Sequence, residues 1–120
     1  MKEAEFKNQL ISIATMYGWR VHHDLPSMNA HGRYRTAIQG HAGFPDIVFV
    51  KANDRGVGGI IFAELKTEIG RLDIAQKEWL EEIRLAGGEW YVWRPSDLAK
   101  ATDRLAGRRR RATILTEASL

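Results

Sequence analysis

The chain has 120 residues, of which 44% are hydrophobic and 28% are charged, and it carries a formal net charge of +3. This length and composition are typical of one globular domain with a modest core. The sequence has no apolar run that could span a membrane, no signal-peptide pattern at its start, and no cysteine for disulfides or thiolate zinc sites. We therefore expect a cytoplasmic protein that does not bind membranes.

The basic excess of the chain lies at its C-terminal end. Without residues 108–120, which hold four arginines and one glutamate, 14 basic and 14 acidic residues remain. We therefore predict one domain at residues 1–107 and a basic tail at residues 108–120. The tail could contact the phosphates of a nucleic acid, or it could be a solvated chain end. Its arginines are Arg108, Arg109, Arg110 and Arg111.

The first third of the chain predicts a helix, a short strand and a long loop. Residues 3–17 carry apolar side chains at helical spacing, and Gly18 favours the end of that helix. Residues 19–23 predict a short strand. Residues 24–43 are rich in glycine and polar residues and predict a loop, whose length is typical of a functional or mobile segment.

The rest of the domain predicts a hairpin followed by a β-helix-β unit. The strands are rich in β-branched and aromatic residues, and two strands joined by a helix favour a parallel pair. The chain is thus predicted to be α/β, with a mixed central sheet flanked by helices. The predicted elements are a strand at 46–50, a turn at 53–56, a strand at 60–66, a helix at 73–85, a strand at 89–94, and a last helix capped by Ser96 and ending near Leu105.

Two acids and a lysine lie at the ends of the predicted hairpin strands. Asp46 opens the first strand, and Glu64 and Lys66 lie near the end of the second. Because side chains alternate along a strand, Glu64 and Lys66 share one face, about 7 Å apart. If Asp46 lies beside this end, both carboxylates can reach one hard cation such as Mg²⁺ or Mn²⁺, and Lys66 can assist an attacking water. A surface aspartate and an ordinary Glu–Lys pair would give the same spacing.

Gln76 lies on the apolar face of the predicted helix, where a polar amide needs a partner. One interpretation is a capping box, in which Asp73 is the N-cap and Gln76 reaches back to it. The other interpretation is that Gln76 points into the site formed by Asp46, Glu64 and Lys66. The sequence leaves both interpretations open.

An acid in the first helix is a further candidate for the site. Glu3 lies on the same helical face as Phe6 and Leu10, whereas Glu5 points away from that face. Glu3 could therefore be a metal ligand or an acid beside the ligands, and Glu5 is the reserve candidate. A favourable charge at the helix N-terminus is the alternative that requires no function.

Several basic residues are candidates for contacts with nucleic acid. His23 ends the first predicted strand, and Arg33 and Arg35 lie in the loop that follows. Arg71 comes just before a predicted helix N-terminus, where phosphates bind readily. The alternative for the loop residues is a solvated polar segment. A zinc site at the loop histidines is disfavoured by their irregular spacing and by the absence of cysteine.

Several short motifs, taken in order and at their spacing, resemble one nuclease family. Pro45-Asp46 followed by Glu64-Leu65-Lys66 is similar to the signature of the PD-(D/E)XK nuclease superfamily. The resemblance covers about residues 3–98 and implies a restriction-endonuclease-like α-β-β-β-α-β core. The fuller set of motifs resembles the VRR-NUC branch of that superfamily: residues 43–48, 64–67, 70–72, 76, 79–80 and 92–95.

The resemblance also implies roles for individual residues. Asp46 and Glu64 would bind the metal, and the backbone carbonyl of Leu65 would complete the site. Lys66 would be the catalytic lysine. Relatives often carry the same residue type at three further positions of this chain, namely Glu3, His23 and Gln76.

The resemblance implies a Mg²⁺- or Mn²⁺-dependent endonuclease that hydrolyses phosphodiester bonds of DNA. Small stand-alone relatives from phages and bacteria suggest structure-selective cleavage of branched DNA, as in Holliday-junction resolution, or nicking. Because one site cuts one strand, symmetric cutting would need a homodimer. The main alternative is a non-catalytic nucleic-acid-binding module on a nuclease fold. A third possibility is an interaction module that uses the arginine tail.

Overall fold

A four-stranded mixed sheet with helices on both faces forms the body of the protein. The computed structural model describes residues 2–24, 27–28, 34–35 and 39–108, the two short ranges by their backbone alone. In this part of the chain the helices are α1 (Glu3–Met16), α2 (Ile74–Leu85) and α3 (Leu98–Leu105), with a 3₁₀ turn at Pro95–Asp97. None of them is long and apolar enough to cross a membrane. The strands are β1 (Arg20–His23), β2 (Ser27–Met28), β3 (Tyr34–Arg35), β4 (Ile47–Lys51), β5 (Gly59–Leu65) and β6 (Glu89–Trp93).

The strands of the main sheet follow the order β1-β4-β5-β6. Strand β4 pairs antiparallel with both β1 and β5, whereas β5 pairs parallel with β6. Helix α2 connects the two parallel strands, as expected of a β-helix-β crossover. The mixed α/β sheet, the antiparallel hairpin and the parallel pair predicted from the sequence are therefore confirmed.

Each face of the sheet packs on different helices, because side chains alternate between the two faces. The larger core joins one face to α1 and α3. The smaller core joins the other face to α2, where Val92 of β6 forms one cluster with Leu72 and Leu80. Glu64 lies opposite Val92 in the parallel ladder and therefore faces α2. The largest fully buried side chains of the larger core are Phe6, Leu10, Ile47, Phe49, Ile61, Leu65 and Leu105.

Part of the predicted loop at residues 24–43 forms a second, two-stranded sheet. Strands β2 and β3 pair antiparallel, with Ser27 opposite Arg35 and Met28 opposite Tyr34. The prediction of an uninterrupted loop is therefore wrong in this segment. The physical reason is that a ladder of two residues per strand is too short to leave a period-two pattern in the sequence.

The last helix begins differently from the prediction. Asp97 occupies the N-cap position of α3 but makes no side-chain capping bond. Ser96 is not the cap, because its backbone N–H and its hydroxyl donate to the Glu68 carboxylate over 2.6 and 2.9 Å. The predicted cap is therefore wrong, since a carboxylate far away in sequence competes for the serine hydroxyl.

Arg104 of α3 holds the end of the sheet at which β5 begins. Its guanidinium donates to the backbone carbonyl oxygens of Val57 and Gly58 over 3.1 and 2.9 Å, in the turn between β4 and β5. The same guanidinium donates to the Glu89 carboxylate over 2.9 Å and lies 5.3 Å from the centre of the Trp19 ring. These contacts tie α3 to the hairpin turn.

Candidate active site

The hairpin of β4 and β5 brings Asp46 to the end of β5. Ile47 pairs with Ala63, and one further step of this antiparallel register places Asp46 opposite Glu64. The Asp46 carboxylate accepts the backbone N–H of Leu65 through Oδ2, over 2.8 Å. This hydrogen bond fixes the aspartate at the strand end, on the face of the sheet that Glu64 shares.

Glu64 is a buried carboxyl group beside a second acid. Only 2% of Glu64 is exposed, and its Oε1 accepts the side-chain amide of Gln76 over 2.9 Å. Burial, the negative charge of Asp46 and a hydrogen bond with that carboxyl group raise the pKa of Glu64 to about 9, against the opposing charge of Lys66. Glu64 is therefore neutral at pH 7 when no cation lies beside the two acids.

Gln76 makes both of the contacts that the sequence left open. The side-chain Oε1 of Gln76 accepts the backbone N–H of Asp73 over 3.0 Å. The backbone N–H of Gln76 donates to the Asp73 carboxylate over 2.8 Å, which completes the capping box of α2. Its Nε2 remains free for Glu64 and donates to that carboxyl group. One amide thus caps the helix and orients the buried acid, because its oxygen and its nitrogen serve different partners.

Lys66 follows directly after β5, and strand alternation places it on the face that holds Glu64. Its backbone N–H donates to the Trp93 carbonyl over 3.1 Å, which ties the residue to β6. The side chain is half-buried, and its positive charge lowers the pKa of Glu64. The amine of Lys66 therefore lies within electrostatic reach of the acid pair.

Gly43 allows the segment before Asp46 to approach α2. Its φ is +95°, and a Cβ at this position would lie 2.5 Å from the backbone carbonyl carbon of Ala75. Only glycine fits such a contact without a backbone shift. The indole N–H of Trp79 donates to the His41 carbonyl over 3.2 Å and holds the same segment at a second point. Gly43 was not among the predicted site residues, although its place three residues before Asp46 was an available signal.

The two acids at the start of α1 differ in their effect on Glu64. Glu3 and Glu5 both lie in the first turn and are exposed. The negative charge of Glu3 adds to the raised pKa of Glu64, so Glu3 lies within electrostatic reach of the acid pair. This reach favours Glu3 over Glu5, and a role as metal ligand remains a prediction.

The structure separates His23 from the acid pair. His23 lies opposite Ile47 in the ladder of β1 and β4, so its side chain belongs to the face that packs on α1 and α3. Asp46 and Glu64 lie on the other face. The Nδ1 atom of His23 is buried and has no hydrogen-bond partner among the described residues. A contact of His23 with nucleic acid stays a prediction.

The basic residues predicted to contact nucleic acid lie in different parts of the chain. Arg71 is exposed just before α2, and Arg108 is exposed after α3, where it donates to Asp103 over 3.2 Å. Arg35 lies in β3, where only the backbone is described. Their contacts with nucleic acid stay predictions. Four predicted residues lie outside the described residues, namely Arg33, Arg109, Arg110 and Arg111.

The oxygen atoms around Asp46 and Glu64 suit a hard divalent cation. The N–H and C=O of one strand residue point to the same side of the strand, so the Leu65 carbonyl is directed toward β4, as its N–H is. No three His, Cys, Asp or Glu side chains form a metal cage within the described ranges. Mg²⁺ does not need such a cage, because it keeps several waters and binds one or two carboxylates. The residues therefore fit an open magnesium site.

The raised pKa of Glu64 predicts a pH-dependent stability of the metal-free protein. The folded state holds this proton up to about pH 9, whereas the unfolded chain loses it near the ordinary value of 4.5. Between these values the folded state binds more protons. The free energy of unfolding should therefore fall as the pH rises through this range, by at most about 1.4 kcal/mol per pH unit from this one group. Urea unfolding at several pH values measures the slope.

A matched variant separates Glu64 from the other titrating groups. Glu64→Gln keeps the side-chain shape and an acceptor for Gln76 but cannot ionise, so its stability should change less between pH 5 and pH 9 than that of the wild type. Equal slopes in the two proteins would show that Glu64 is not the group responsible.

Comparison with known protein families agrees with this geometry. The VRR-NUC domain matches residues 24–97, which hold Asp46, Glu64, Lys66 and Gln76 and make up more than half of the chain. Searches of curated proteins and of solved structures gave no match. The mixed sheet with helices on both faces agrees with a restriction-endonuclease-like fold. The chain therefore belongs to the VRR-NUC family, whose domain is a nuclease domain that acts on DNA.

Proposed function

We propose that the protein is a metal-dependent endonuclease that hydrolyses phosphodiester bonds of DNA. The observation that supports this most strongly is the acid pair of Asp46 and Glu64 at the end of the hairpin, with Lys66 close by. Burial first, and then the negative charge of Asp46, raise the pKa of Glu64, so ionising both carboxyl groups at this place is costly. A divalent cation removes the repulsion, so the arrangement suits a domain that binds one.

Asp46, Glu64 and the Leu65 carbonyl would hold the cation, which we propose to be Mg²⁺ or Mn²⁺. When bound, such a cation lowers the pKa of a water molecule and stabilises negative charge on a phosphate. The chain itself orients both acids, because the Leu65 N–H holds Asp46 and the Gln76 amide holds Glu64. Since the capping box with Asp73 fixes Gln76, the orientation of Glu64 depends on the start of α2.

Lys66 is the residue that we assign to the attacking water. In its neutral form the amine can orient the water and take up its proton, and in its charged form it can neutralise the phosphate. The water oxygen attacks the phosphorus opposite the 3′ oxygen, and the bond between phosphorus and the 3′ oxygen breaks. The 3′ oxygen then takes a proton from solvent, which leaves a 5′-phosphate and a 3′-hydroxyl.

DNA would contact the exposed groups around this site. Arg71 is exposed just before the N-terminus of α2, and an arginine fork there can pair with a phosphate. Phe44 is 43% exposed, lies two residues before Asp46 and packs edge-on against Trp79, with 5.0 Å between ring centres. An exposed aromatic ring in this position can stack on a base. The basic tail at residues 108–120 would add phosphate contacts.

The finer proposal is structure-selective cleavage of branched DNA, or nicking, in the cytoplasm of a bacterial or phage-infected cell. One site cuts one strand, so symmetric resolution of a Holliday junction would need a homodimer with two sites. The family membership supports DNA as the substrate and leaves the preferred DNA structure to experiment.

A cleavage assay with three DNA substrates tests the proposal. Labelled branched, single-stranded and duplex DNA are incubated with the protein in EDTA, in Mg²⁺ or in Mn²⁺. We expect cleavage only when a metal is present, and faster cleavage of the branched substrate. Lys66→Ala, purified in the same way, controls for contaminating nucleases and should be slower by about 10²-fold or more.

Each substrate and metal condition can contradict a different part of the proposal. No cleavage of any substrate in either metal would overturn the enzymatic function and favour a non-catalytic DNA-binding module. Undiminished cleavage in EDTA would overturn the metal requirement. Equal rates on branched and duplex DNA would overturn structure selectivity alone.

A further inference from the structure

We propose that Arg94 is a positioning residue that sets the side chain of Lys66 through the loop after β5. The proposal rests on the function proposed above. Arg94 follows β6 directly, and its guanidinium donates to backbone carbonyl oxygens of the loop after β5. Its effect on Lys66 would pass through Thr67 and Gly70, which we call, with the two residues between them, the Thr67–Gly70 loop.

Arg94 binds both ends of the Thr67–Gly70 loop with one nitrogen. Its Nη1 donates to the backbone carbonyl oxygens of Thr67 and Gly70 over 2.5 and 2.6 Å. The residue before it, Trp93, accepts the backbone N–H of Lys66 over 3.1 Å. Two consecutive residues of one chain segment thus hold the backbone on both sides of the lysine side chain.

Further contacts restrict the same loop. The Thr67 hydroxyl accepts the Gly70 N–H over 3.0 Å, which closes the loop on itself. The Glu68 carboxylate accepts the backbone N–H and the hydroxyl of Ser96. Since Ser96 lies two residues after Arg94, the loop is joined to the end of β6 by side chains from both segments. These hydrogen bonds restrict the loop, although it lacks regular secondary structure.

Gly70 is the residue of the Thr67–Gly70 loop that lies beside the Lys66 side chain. A Cβ at Gly70 would lie 3.5 Å from the Cδ atom of Lys66 and 2.9 Å from the Thr67 hydroxyl. The Cδ atom of Lys66 therefore lies beside the open side of Gly70, the residue whose carbonyl oxygen Arg94 holds. A lysine side chain that packs against neighbours loses rotamer freedom, and it regains that freedom when the neighbours can move. Loss of the Arg94 hydrogen bonds should let the Thr67–Gly70 loop move, and the amine of Lys66 should then sample more positions.

Arg104 provides a control arginine within the same protein, which in addition pairs with Glu89. Like Arg94, it donates to two loop carbonyl oxygens, those of Val57 and Gly58. Its loop joins β4 to β5 at the end of the hairpin away from Lys66. Arg104→Gln should therefore lower the free energy of unfolding, because these hydrogen bonds are lost, and should leave the position of the Lys66 side chain unchanged.

The experiment compares Arg94→Gln, Arg94→Lys and Arg104→Gln by two readouts. The first is the NMR signal of the Lys66 Cε group in lysine-labelled protein, assigned with Lys66→Arg. The second is the pair of kcat and KM for the best DNA substrate. We expect Arg94→Gln to shift or broaden the Lys66 signal and to lower kcat by about 10- to 100-fold with KM nearly unchanged. Arg94→Lys, which can still donate to both carbonyls, should restore part of each effect.

The outcomes separate this inference from the proposed function. An unchanged Lys66 signal in folded Arg94→Gln would overturn the positioning role, and so would equal losses of kcat in Arg94→Gln and Arg104→Gln. If the wild type cuts no DNA while the Lys66 signal still changes only in Arg94→Gln, the positioning role stands and the proposed function fails.

Discussion

Asp46→Asn is expected to lower the rate of DNA cleavage by about 10³-fold or more. The amide keeps an oxygen that can accept the Leu65 N–H, so the end of the hairpin should remain in place. The substitution removes the negative charge that would hold a divalent cation together with Glu64. A loss of this size corresponds to about 4 kcal/mol of transition-state stabilisation, which is within the range that a bound metal supplies.

Single-turnover cleavage in saturating Mg²⁺ measures this effect, and thermal unfolding with increasing Mg²⁺ measures metal binding separately. The wild type should gain stability as Mg²⁺ is added, whereas Asp46→Asn should gain little. Asp54→Asn is the matched control, because Asp54 is an exposed acid in the turn of the same hairpin. A cleavage rate of Asp46→Asn near that of the wild type would contradict the proposal that Asp46 and Glu64 hold the metal.

Gly43→Ala is expected to produce the largest loss of stability, together with loss of cleavage. The new Cβ would lie 2.5 Å from the Ala75 backbone, and the φ of +95° is unfavourable for alanine. Together these effects should lower the free energy of unfolding by about 3 kcal/mol or more. Cleavage should fall as well, because the shifted segment leads to Asp46 and the displaced turn carries Gln76.

Gly40→Ala separates the clash from the backbone strain. Gly40 has a φ of +110°, but a Cβ added there would have no atom of the described residues within 4 Å beyond its immediate chain neighbours. Alanine at this position therefore meets only the conformational cost of about 1–2 kcal/mol. Urea unfolding of both variants, with cleavage rates corrected for the folded fraction, measures the difference. Equal losses in the free energy of unfolding of the two variants would show that Gly43 does not approach α2 closely enough to exclude a Cβ.

Local periodicity was sufficient to predict that Asp46, Glu64 and Lys66 lie at one end of the hairpin. Alternation along β5 places Glu64 and Lys66 on one face, and the hairpin brings Asp46 to the same strand end. The spacing of Asp73 and Gln76 predicts the capping box that the structure contains. These features depend on the residue periods of a helix and a strand, which can be recognised from a few neighbouring residues of the sequence.

Other features needed the register and the packing of the whole domain. The prediction for Ser96 failed because Glu68, which lies 28 residues earlier, takes its hydroxyl. The face of His23 depends on its pairing with Ile47, and no short pattern sets that register. The double role of Gln76 depends on how closely α2 approaches the end of β5.

The sequence by itself determined the α/β order, the hairpin and the residue types on which the proposed metal-dependent cleavage rests. The tertiary structure decided how those residues are arranged, because it buries Glu64 beside Asp46, binds it to Gln76 and joins Arg94 to the loop after Lys66. The physical reason is that burial and long-range hydrogen bonds arise only when distant segments pack together, whereas strand and helix periods are local.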